Sequence, residues 1–180
     1  MDFAGIDPQK AERFIQTEAH EYYYYLEHFA DFFAEYWFGL PSRFAAVGDS
    51  SYNIALTKFL SDQVGLIPVK QIITDNPPEK KRDSIAALYH DLTQGVETDP
   101  IFLEDGYLIE QALEETDFGS SVPLILGSSW EKDVAAKKKG LLLEVGTPAT
   151  EEVVINRSYI GYRGALTLLE KIYTATVGGK

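Results

Sequence analysis

The sequence predicts an α/β fold: a mostly parallel five-stranded sheet between two layers of helices, preceded by one long aromatic-rich helix. Three observations carry this. Five short apolar runs alternate with segments of helical period, the pattern of right-handed βαβ crossovers. Three of those runs end at a glycine (Gly48, Gly127 and Gly146) where a strand would hand over to a loop. The first forty residues carry helical spacing and no strand-like run. We therefore expect residues 1–40 to be a helix packing on the domain or on a partner, and residues 41–180 to be the sheet domain. With 180 residues, 45% of them hydrophobic, the chain has the length and material for one ordinary core.

Taken in order, the first helix runs from Pro8 to about Phe38. Asp7 can cap it, Pro8 suits the first helical position, and Gly39-Leu40-Pro41 ends it. Ile15, Ala19, Tyr22, Leu26, Phe29, Phe33 and Trp37 recur three and four apart and define a buried stripe. Tyr22, Tyr23, Tyr24 and Tyr25, however, point almost all the way round the helix. Either the rings pack with their hydroxyls wet, or another domain or subunit covers a second face. Arg43–Val47 is the first strand, and Tyr52–Val64 the helix after it. Leu66–Thr74 is the second strand, with Pro77-Pro78 opening a helix to about Gln94. Pro100–Leu103, Pro123–Leu126 and Leu141–Val145 are the remaining strands, and helices are expected at Tyr107–Glu115, Trp130–Lys139 and Tyr159–Val177.

Charge and composition exclude several functions. There are 16 basic and 28 acidic residues, a formal charge of −12, which argues against binding nucleic acid or an anionic membrane. With no cysteine, the chain has no disulfide, thiolate-held zinc, iron–sulfur ligand or cysteine nucleophile of its own. No run approaches the ~18 apolar residues of a membrane span, and Met1-Asp2-Phe3 does not open like a signal peptide. A soluble cytoplasmic protein is expected.

In an open α/β sheet, ligands sit beyond the carboxyl ends of the strands. The candidate site is therefore Gly48-Asp49-Ser50-Ser51, Gly127-Ser128-Ser129 and Gly146-Thr147 with Pro148. The first two open helices whose free N–H groups favour an anion, glycine permits close approach, and the hydroxyls add donors. Ordinary capping explains the same residues: Asp49 or Ser50 as one cap, and Ser128 with Glu131 three residues on as a capping box. No glycine-rich dinucleotide fingerprint, Walker lysine or nucleophile elbow is present. His20, His28 and His90 form no cluster with metal-ligand spacing, and no carboxylate pair is singled out for acid–base work. No catalytic residue or metal ligand is assigned. Arg157 and Arg163 lie at the unfavourable end of the last helix dipole, so they answer carboxylates or an anionic partner group. Gly161 and Gly164 would let that helix lie against a neighbouring backbone.

Four segments together resemble a known family. Val47-Gly48-Asp49-Ser50-Ser51 with the helix Ile54–Leu60, Leu126-Gly127-Ser128-Ser129-Trp130-Glu131, Val145-Gly146-Thr147-Pro148-Ala149-Thr150, and Asn156-Arg157-Ser158-Tyr159-Ile160-Gly161-Tyr162-Arg163-Gly164-Ala165-Leu166-Thr167 are similar, in order and spacing, to the C-terminal domain of nitrogenase component 1 subunits. The last resembles the family's GYxGa segment at the start of the closing helix, and the likeness covers about Glu18 to Val177. The resemblance implies the last of three Rossmann-like domains, closer to the β-type subunit of the molybdenum–iron protein or an alternative-metal relative. In α-type subunits the loop matching Val145–Pro148 carries a cofactor-binding histidine, and here it has none.

The cysteines that hold the family's iron–sulfur P-cluster belong to an N-terminal domain. The resemblance therefore implies iron–sulfur and metal cofactor clusters for the full-length complex and none in this chain. It implies as partners the other domains of the subunit, an α-type subunit and the iron protein, besides a homo-oligomer through the aromatic helix. The implied role is structural, shaping an inter-domain cleft and a subunit interface of an oxidoreductase. The alternatives are a cofactor-assembly scaffold and a stand-alone small-ligand binding domain. Protochlorophyllide and chlorophyllide reductases are a more distant likeness.

Overall fold

The computed structural model describes residues 5–36, 40–92, 96 and 98–178, and side chains in 32–36 are outside the description. Two compact units result, one pairing the first helix with Val154–Gly178 and the other spanning Leu40–Val153.

The second unit holds the sheet: β1 (Arg43–Gly48), β2 (Ile67–Ile73), β3 (Pro100–Phe102), β4 (Leu124–Gly127) and β5 (Leu141–Glu144). All neighbours are parallel, in the order β3-β2-β1-β4-β5. The order reverses direction at β1–β4, with Ala46 opposite Leu126, and the carboxyl ends at such a switch point are where open α/β sheets bind ligands. The helices are α1 (Pro8–Tyr36), α2 (Ser50–Lys58), α3 (Glu79–His90), α4 (Gly106–Glu114), α5 (Lys132–Lys137) and α6 (Gly161–Gly178).

Strand alternation divides the core into two layers. On one face Ala45, Ile72 and Ile125 pack with Ile109 and Leu113 of α4, Phe118, and Val134 and Ala135 of α5. On the other, where Asn53 of α2 bonds to the strands and to Tyr89 of α3, Phe44, Leu60 and Tyr89 are fully buried. The three-layer α/β fold read from the sequence is the one observed. Some boundaries differ. The helix expected through Val64 relaxes at Phe59–Gln63 into a π-turn. The one expected from Trp130 starts as a 3₁₀ turn, Ser129–Glu131. The expected third-helix end near Gln94 and the first-helix end at Phe38 lie outside the described residues.

In the first unit α1 and α6 run parallel: Glu18 meets Arg163, Tyr22 meets Tyr162, and Phe29 stacks edge-on to Tyr173 with ring centroids 4.4 Å apart. The expected stripe holds at the buried Tyr22 and half-buried Ala19, Leu26 and Phe29. It fails at Ile15, which is 48% exposed. One turn before Glu18, Ile15 falls level with the residues that precede α6, so no helix covers it. Phe33 and Trp37 lie outside the described side chains.

Candidate functional site

The loop after β1 is organised by two carboxylates. Asp49 caps α2, accepting from the Tyr52 N–H at 2.9 Å and the Ser51 hydroxyl at 2.6 Å. Burial works to raise its pKa, but the hydrogen bonds from Ser51 and the Tyr52 and Ser51 backbone outweigh it and hold the carboxyl below its ordinary value. Ser50 donates its N–H to Asp75 Oδ1 at 3.0 Å and its hydroxyl to Asp75 Oδ2 at 2.7 Å. Asp75, in the turn after β2, is a site residue that the sequence reading did not single out. Pairing of Gly48 with Ile73 brings it there, so the only sequence signal is an acid just past a strand. A Cβ on Gly48 would meet nothing within 4 Å.

The β4 and β5 loops are stitched together. The Gly127 carbonyl accepts from the N–H groups of Val145 and Gly146, both at 2.9 Å, and the Ser129 N–H donates to the Pro148 carbonyl at 2.8 Å. Thr147–Pro148 is a cis peptide. Ser128 and Glu131 form the capping box expected of them: Glu131 Oε2 accepts from the Ser128 N–H at 2.6 Å and hydroxyl at 2.9 Å, while Ser128 Oγ accepts from the Trp130 N–H at 3.2 Å. Gly127 is required by that carboxylate, since a Cβ there would lie 2.5 Å from Glu131 Oε2. Glu144, a second buried acid unnoticed in sequence, takes the N–H groups of Thr150 and Glu151 on Oε2 at 3.0 and 3.1 Å. Its periodicity marked it as a strand residue, and nothing local showed its carboxylate capping a turn six residues on.

The structure thus brings Gly127, Ser128, Ser129 and Gly146 into one hydrogen-bonded cluster, with Thr147 in the same loop between Gly146 and Pro148. Gly48, Asp49, Ser50 and Ser51 sit beside it through the β1–β4 register. The N–H groups of Ser50, Tyr52, Ser128, Ser129 and Gly146 already meet a carboxylate or carbonyl of this chain, and that of Trp130 meets the Ser128 hydroxyl. Capping, the plainer of the two readings, describes these helix starts. An incoming anion would have to displace Asp49, Asp75 or Glu131 from its donors. The indole of Trp130 stands 76% exposed beside the cluster.

The side chains do not suit a resident metal cluster. The chain has no cysteine, and among the described residues no three His, Asp or Glu side chains converge to hold an ion. His28 Nδ1 pairs with the Tyr24 carbonyl and His90 Nε2 with Asp99, each at 2.7 Å. At the start of α6, Arg163 grips Glu18 with two bonds of 2.7 Å and has Glu21 at 3.5 Å, so the unfavourable cation is answered by carboxylates. The expected close packing of Gly161 against a neighbour is not found. Its surroundings are open, and glycine serves a φ of +72° at the helix entry. Gly164 does pack, against the turn before its own helix, where a Cβ would lie 2.4 Å from the Tyr159 carbonyl carbon. Among the described residues, no helix is long and apolar enough to cross a membrane.

Comparison with known proteins finds a matching family model and solved structures of similar fold. The family model of nitrogenase component 1 type oxidoreductases matches residues 8–176. The solved structure of nitrogenase Cp1 at pH 6.5 superposes with a TM-score of 0.66 at 21% identity, over 91% of this chain and 33% of that one. This chain thus spans about a third of the length of that relative. No curated protein matches.

Proposed function

The chain belongs to the nitrogenase component 1 type oxidoreductase family, and from that premise we propose that it is the C-terminal structural domain of such a subunit. In this reading it shapes an inter-domain cleft and a subunit interface and does no redox chemistry alone. The observation that carries it is the carboxyl edge of the sheet. The loops that would face the cleft, Gly48–Ser51, Gly127–Ser129 and Gly146–Thr147, are braced by their own carboxylates and provide no set of metal ligands among the described residues. They make a wall. The iron–sulfur and metal cofactor clusters of the assembled complex then rest on other domains and subunits.

Residues 1–40 are the lead-in helix to the domain 41–180, packing on it or on a partner. The fork of Arg163 on Glu18 supports this, because it joins α1 to the closing helix. The absence of a histidine in Val145–Pro148 favours a β-type subunit of a molybdenum–iron protein or an alternative-metal relative. Its partners are then the remaining domains, an α-type subunit and the iron protein, all in the cytoplasm. Tyr23, Tyr24 and Tyr25, each half exposed, supply a surface for such a contact or for a homo-oligomer.

Sequencing the source gene upstream of Met1 tests the proposal. A frame continuing for several hundred residues with cysteines in its first third is the expected result. A stop codon and ribosome site directly before Met1 would overturn it in favour of a stand-alone binding module.

A further inference from the structure

The first turn of α2 is fastened to the sheet by one buried amide. Asn53, 1% exposed, donates from Nδ2 to the Ala46 carbonyl of β1 at 2.9 Å and to the Ile72 carbonyl of β2 at 3.1 Å. Two carbonyls facing one nitrogen fix the orientation of the amide, so Oδ1 must look for a donor elsewhere. It finds the Tyr89 hydroxyl of α3 at 2.9 Å. Thr57 Oγ1 also lies 3.3 Å from Oδ1, but its single proton has a nearer acceptor in Gln71 Oε1 at 3.0 Å. Tyr89, wholly buried, is thus the dedicated donor to Asn53.

Ala46 and Ile72 lie near the carboxyl ends of β1 and β2, just ahead of the turns that carry Asp49 and Asp75. Those turns are themselves tied by the Thr74 N–H to the Gly48 carbonyl at 3.0 Å. Where α2 sits on these two strands decides whether Asp75 reaches Ser50 and Asp49 reaches Tyr52. We propose that Asn53 and Tyr89 are a positioning pair that sets the geometry of the Gly48–Ser51 loop from the seating of α3. Water cannot substitute for any of the three bonds, because both side chains are buried. Burial and the nearby charges of Asp75 and Asp49 also push the ionisation of Tyr89 upward, which keeps the phenol a donor. What the pair serves rests on the reading of this loop as a cleft wall, whereas its action on the loop does not.

Tyr89→Phe keeps the ring and removes the hydroxyl, and residue-resolved hydrogen exchange on this chain reads the outcome. The amides of Ser50 and Tyr52 and the side-chain amide of Asn53 should exchange about tenfold faster. The β5 amides should move only with global stability, measured in parallel by urea unfolding. Equal acceleration in every strand, or unchanged loop amides, overturns the pairing and leaves the cleft reading standing. Thr57→Val guards against a variant that does not fold. It removes the competing hydroxyl at constant shape and should leave the loop amides as they are, and a tenfold acceleration there would sink the special role of Tyr89. A reading frame that opens at Met1 would defeat the cleft reading and leave this result intact.

Discussion

Gly48, Gly127 and Gly164 all fall in the four segments that identify the family, yet each is glycine for a different reason, and alanine distinguishes them. At Gly127 the new Cβ would sit 2.5 Å from Glu131 Oε2 and push the carboxylate off the Ser128 N–H and hydroxyl. Gly127→Ala should cost about 1–2 kcal/mol, the worth of a cap with its buried acceptor disturbed. Gly164→Ala is worse, because the atom 2.4 Å away is the Tyr159 backbone, which cannot rotate aside. About 1–3 kcal/mol or more is expected there. Gly48→Ala, with open space around it, should stay within about 0.5 kcal/mol. Urea unfolding of the three variants checks the order, and a Gly48→Ala as damaging as the others would mean that the loop is held more tightly than its contacts indicate. Sequence reading recognised these loops and weighed anion against cap. It could not settle the matter, because Asp75 lies 25 residues from Ser50 and is brought there by strand register.

Between elements, the contact most open to test is the Arg163 fork on Glu18. The guanidinium bonds directly to the carboxylate and holds its pKa below the ordinary 4.5, against the opposing effect of burial. A carboxyl with a depressed folded pKa contributes stability that is fully present above its unfolded value and is lost as pH falls through the folded one. Acidification below about pH 4.5 should therefore weaken the α1–α6 pairing in the parent, and Glu18→Gln should flatten that part of the curve. Circular dichroism melts between pH 3 and 7 read this, and parallel acid profiles for parent and variant would remove the ion pair from the account. The spacing of Glu18 and Arg163, 145 residues apart, carried no hint of the pairing beyond two cations at a helix start that needed answering. The helices themselves were legible, because period and caps are local. Ile15 was misplaced for the opposite reason: periodicity says which face is apolar and not where the partner helix begins.

At the scale of the whole molecule, the eleven tyrosines report on both units at once. Tyr22 and Tyr173 lie in the α1–α6 unit and Tyr89 in the sheet unit, and burial raises the pKa of all three above the ordinary 10.0. For Tyr173 the value is pushed up to about 12. In each case the folded state holds the phenol proton more tightly than the unfolded chain does. The associated stability is therefore complete below pH 10 and is lost as pH rises through the folded value. The sequence did disclose the helices whose packing creates these buried phenols, but only the structure shows which rings they are. A spectrophotometric titration at 295 nm should show a late class of tyrosinates whose appearance coincides with loss of helical signal. Tyr173→Phe should remove one member of that class and reduce the stability lost between pH 10 and 12. If all tyrosines titrate together near pH 10 while the helical signal persists, Tyr173 is not shielded by α1, and the pairing of the two helices in solution fails with it.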